Sequence, residues 1–97
     1  MTSQAPVVDW PGKIANLSDQ ISQFAVKISD EKDPAKQAKL EVLKEELKVQ
    51  QAKLELQQAR NANLPEEEIL ELKGELKEAA ANLKKTQEIQ MQLQQGN

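Results

Sequence analysis

An all-α fold is the reading of this chain: three amphipathic helices, a long antiparallel coiled-coil-like hairpin plus a shorter N-terminal helix, together a three-helix bundle. Three observations predict it. Ile14, Leu17, Ile21, Phe24 and Ile28 alternate three and four residues apart, which draws one apolar stripe on a 3.6-residue helix. The rhythm returns in Leu40, Leu43, Leu47 and Leu54, and again in Ile69, Leu72, Leu76, Ala79 and Leu83. Between these runs stand Asp33-Pro34 and Asn61-Ala-Asn63-Leu64-Pro65, where a helix must stop and the next can start.

Residues 1–10 carry Pro6 and no helical period and read as an extended arm, with a single helical domain over 11–94 and a frayed end at 95–97. The first helix is expected over about 11–29, because Asp9 can cap its free amides and Pro11 suits a first turn. The second is expected over 34–62, opened by the Asp33 carboxylate and Pro34 and rich in the strong helix formers Lys, Glu, Gln, Leu and Ala. For the third, over 65–94, Asn63 or Leu64 takes the N-cap position, and Glu66, Glu67 and Glu68 complement the positive end of the helix dipole. The short connection before it requires an antiparallel hairpin.

In the second helix Leu40, Leu43, Leu47, Leu54 and Leu64 form an a/d seam, interrupted by Gln50, Gln57 and Asn61, while Val42, Val49, Ala52, Leu56 and Ala59 lie on roughly the opposite side. One neighbour cannot cover both faces. Either this helix lies between the other two, or its weaker face receives another copy of the chain. The first helix, being shorter, is expected to cover only the half of the hairpin away from the Asn61–Pro65 turn. Thr86 and Gln90 interrupt the seam of the third helix, and the glutamine-rich end keeps Ile89, Met91 and Leu93 at alternating spacing. Gly74 reads as a tolerated surface glycine.

Composition narrows the function. At 38% hydrophobic and 2% aromatic the core is thin and aliphatic, unsuited to a deep catalytic cavity. Thirteen basic and sixteen acidic residues are interspersed at a net charge of -3, with no electropositive face for nucleic acid. There is no histidine, cysteine or tyrosine, so neither a nucleophile–base pair nor a metal centre can be assembled, and the expectation is no enzyme, no cofactor and no catalytic or metal-binding residue. Three adjacent glutamates point in different directions around a helix and make no calcium loop. The first residues lack the basic and apolar regions of a secretory leader, and no run of about 18 apolar residues occurs. The compartment stays open, cytoplasmic by default, and binding to a membrane surface ranks last.

Trp10-Pro11-Gly12 resembles the Trp-x-Gly signature of small exported helical hairpins, which carry it in the turn between two helices and not ahead of the first. Asp9-Trp10 and the Asp33-Pro34 break are similar to features of type III secretion needle subunits, whose tyrosine-rich second helix and C-terminal segment have no counterpart here. Neither resemblance contributes residues to the reading. What remains is work by protein–protein contact through apolar helix faces, with Trp10, Val42, Val49, Leu56, Ile89, Met91 and Leu93 as the candidate interface and either the chain itself or another helical protein as partner. The alternative is a small chaperone or adaptor, such as one serving a secretion apparatus, that holds a partner helix.

Overall fold

A computed structural model describes residues 9–95; of the arm expected over 1–10, residues 1–8 lie outside them, as do Gly96 and Asn97, while Asp9 and Trp10 are the cap and first residue of a helix. Three helices follow in order, α1 (Trp10–Asp30), α2 (Pro34–Asn61) and α3 (Glu66–Gln95), each within a few residues of its expected bounds. They form an all-α three-helix bundle. α1 and α3 both pack against α2, and neither approaches the other's backbone closely. α2 is therefore the central member.

Exposure along α2 sorts into stripes, each spaced three and four residues apart. Ala38, Val42, Ala52, Leu56 and Ala59 are buried, with Glu45 and Val49 half-buried among them. On the far side Lys39, Leu43, Glu46, Gln50, Lys53, Gln57 and Arg60 are all exposed. Leu40, Leu47 and Leu54 fall between, half-buried. This corrects the expected seam. The deepest contact runs through the alanine and valine face, because small side chains let two backbones approach closely, and the d positions of the leucine heptad point to solvent. Gln50 and Gln57 thus interrupt nothing; they belong to the outer surface.

α3 behaves as its heptad requires. Ile69, Leu72, Leu76, Ala79, Leu83, Thr86 and Gln90 are the half-buried positions of the helix, and everything else on it is exposed. Thr86 satisfies its hydroxyl within the helix by donating to the carbonyls of Asn82 and Leu83, at 2.9 and 2.8 Å. α1 reaches further than expected. Its 21 residues span about 31 Å against about 42 Å for the 28 of α2, and Pro11 and Ile14 come alongside Glu55–Ala62 at the turn end.

The chain reversals are held by local hydrogen bonds. Asp9 caps α1 by accepting from the Gly12 amide at 3.0 Å, and any side chain at position 12 would run into that carboxylate, which explains a glycine after Trp10-Pro11. Asp33 caps α2 through the Ala35 amide at 3.1 Å. From α2, Gln37 Nε2 donates 3.0 Å back to the carbonyl of Ile28, so the last turn of α1 is tied to the first turn of its neighbour. At the other end Leu64 N–H donates to Ala59 and Asn63 N–H to Arg60, with Asn63 at φ 55°, a Schellman stop. Asn63 therefore closes α2 and does not cap α3. The carbonyl of Pro65 instead receives the Glu68 and Ile69 amides, so α3 starts one residue later than expected, with three acidic residues in its first turn.

Two stability measurements check this account. At the left-handed Asn63, substitution by Ala should cost about 1 kcal/mol, because Ala keeps the penalised Cβ without the short polar side chain that lets Asn tolerate this conformation, while Gly, which has no Cβ, should cost nothing; equal midpoints in denaturant would refute the turn geometry. Gly74 has open space where a Cβ would stand, so Gly74→Ala should raise stability by about 0.5–1 kcal/mol through helix propensity alone. A loss of stability would mean that something covers position 74.

Candidate interaction surface

The expected interface residues do not share one fate. Val42 and Leu56 are each 7% exposed, and Val49 is half-buried, because the face they occupy is covered by the chain's own helices. They are corrected to core residues. Trp10 opens α1 and is half-buried. Ile89, Met91 and Leu93 remain exposed, but not together. At 100° per residue Ile89 and Leu93, four apart, share one side of α3, and Met91 stands on the other.

Two further features were not read from the sequence. The first is the state of α3, whose 30 residues include none that is buried. It rests on α2 by one stripe and leaves both flanks open. The second is a groove of about 600 Å³ at the turn end, between α1 and α3 and over α2. Pro11 and Ile14 form one wall, Leu64 and Leu72 the other, and Ala59, Gln58 and Glu55 lie on the floor. Ala59 is almost completely buried, so the floor is sealed.

Glu55 is the one charged residue of this lining, and Glu75 of α3 approaches it. Burial raises the Glu55 pKa above its usual 4.5, and the like charge of Glu75 adds to the rise. The seam holds another carboxylate, Glu45, whose Oε1 lies 3.7 Å from Lys48 Nζ and whose buried Oε2 has no hydrogen-bond partner among the described residues. A carboxylate at a position flanked by Val42 and Val49 weakens the α2 core, and Lys48 offsets only part of that.

Among the described residues no group of three or more His, Cys, Asp or Glu side chains is placed to hold a metal ion, and no helix is long and apolar enough to cross a membrane. Comparison with protein families, with curated proteins and with solved structures gives no match. The surface must be interpreted from its own chemistry.

A raised carboxyl pKa means that the folded chain holds the proton more tightly than the unfolded one. Ionising Glu55 therefore costs stability as the pH climbs through the raised value, and the penalty is absent below about 4.5. Glu55→Gln should be more stable than the parent at pH 7, with the gap closing on acidification. A gap independent of pH, in paired urea titrations at pH 7 and 4, would show that Glu55 is solvated like any surface carboxylate.

Proposed function

We propose that this protein is a non-enzymatic interaction or assembly subunit that works by docking apolar helix surface against another helix, belonging to a copy of itself or to a foreign helical protein. The observation that carries the reading is the half-covered state of α3. A 30-residue helix whose backbone approaches a single neighbour and which fully buries none of its residues gains little from its own fold, since most helical stability in proteins comes from packing an apolar face. A second helix against its open flank would supply the missing contact. The residue inventory supports the non-enzymatic part: without histidine, cysteine or tyrosine, acid–base or nucleophilic chemistry would fall to isolated carboxylates.

The groove between α1 and α3 favours a second reading, a small chaperone or adaptor. There the foreign helix would lie across Pro11, Ile14, Leu64 and Leu72 and complete a four-helix arrangement. Both readings make the same demand on the isolated chain. In dilute solution the amides of α3 should exchange with solvent markedly faster than those of α2, and should slow when the chain is concentrated or bound. If α3 is as protected as α2 in a dilute monomer, its packing is complete within one chain and the proposal fails.

A further inference from the structure

The outer flank of α3, the one turned away from the groove, has a composition of its own. Leu70, Lys73, Lys77, Ala80, Lys84, Gln87 and Met91 recur three and four residues apart and are all exposed. Leu70 at 58% and Met91 at 57% are among the most exposed large apolar side chains of the described residues. From Leu70 to Met91 the stripe itself mixes three apolar residues with three lysines and carries no acid, while at the same spacing the exposed Glu66 precedes it and Glu88 stands beside Met91. Leu72, by contrast, belongs to the half-buried seam that also borders the groove, and Glu75 lies on the flank opposite the stripe.

The groove is the complement of that stripe. Its walls are apolar and its floor carries Glu55, with the charge of Glu75 close enough to act on that carboxyl; no lysine or arginine lines it. Resting on the reading of an assembly subunit, we infer that the occupant of the groove is a second copy of this chain, inserted by the outer flank of its α3, with Leu70 against the apolar walls and Lys73 and Lys77 beside Glu55 and Glu75. Leu70 to Lys77 is seven residues, about 10 Å of helix, which presents the apolar residue and both cations within two turns.

The two surfaces lie on different sides of one molecule, so the contact is head to tail. Each copy that inserts its stripe still has an open groove, and the product is a ring if the rotation closes and a filament if it does not. A two-fold dimer is not expected. Because the pairing is between partly exposed charges, it weakens with added salt.

Sedimentation velocity over a wide concentration range, with helicity checked by circular dichroism, tests this with two charge reversals. The parent chain should grow in mass with concentration, beyond a dimer, and less so at high salt. K73E/K77E alone and E55K/E75K alone should each stay monomeric and helical, because each now sets like charges against like. Mixed in equal amounts they should assemble again, since every stripe then meets a groove of opposite sign. A parent chain that stays monomeric throughout, a parent that stops at a dimer, or assembly that survives both reversals each overturns the inference. The general proposal of an interaction subunit fails on a different result, the protection of α3 in the dilute monomer.

Discussion

Everything in this fold depends on α2 serving two neighbours at once. A helix normally concentrates its apolar residues on one side, and α1 does so sharply, but α2 spreads its apolar side chains widely around its axis. It can therefore receive α1 and α3 on separate flanks without the backbones of those two helices approaching each other closely. The arrangement puts the small residues Ala38, Ala52 and Ala59 where the approach is closest and leaves Lys39, Glu46, Lys53 and Arg60 for water. It also buries Val42 and Leu56 against the chain's own helices.

From this constraint the open surfaces follow. Two helices set around a third without touching leave a furrow between them. At the turn end its walls are apolar, because α1 runs far enough to bring Pro11 and Ile14 opposite Leu64 and Leu72. The same separation leaves α3 with one neighbour where a closed bundle would give it two. Local bonds hold the furrow open: Gln37 fixes the α1–α2 corner, and the stop at Asn63 sets the direction in which α3 departs.

The elements were legible because their signals are short-range. Asp33 and Pro34 act on amides within a turn, and the spacing of Ile69, Leu72, Leu76, Ala79 and Leu83 alone names the contact face of α3, Thr86 and Gln90 included. The face of α2 was not legible in the same way. Leucine outranks alanine in any hydrophobic count, yet Leu43 is 39% exposed while Ala59 is 2% exposed, since burial depends on where the neighbours lie. Asn63 misled for a related reason: an Asn between two helices can end one or begin the next, and only its φ decides. Glu55 gave no signal, because nothing in the sequence says which of many glutamates will stand beside Glu75 in a groove.

The separation of the α1 and α3 backbones also bears on how the chain folds. The backbone of each helix packs only on its neighbour in sequence, a topology of the low-contact-order kind that in helical proteins goes with fast folding. Cooperativity is correspondingly weak, as in a repeat array where each unit feels only the next. This topology would let α1 detach while the α2–α3 hairpin persists, or α3 fray while the α1–α2 pair persists. Unfolding need not be a single event, and the two halves share only the middle helix as their means of sensing each other.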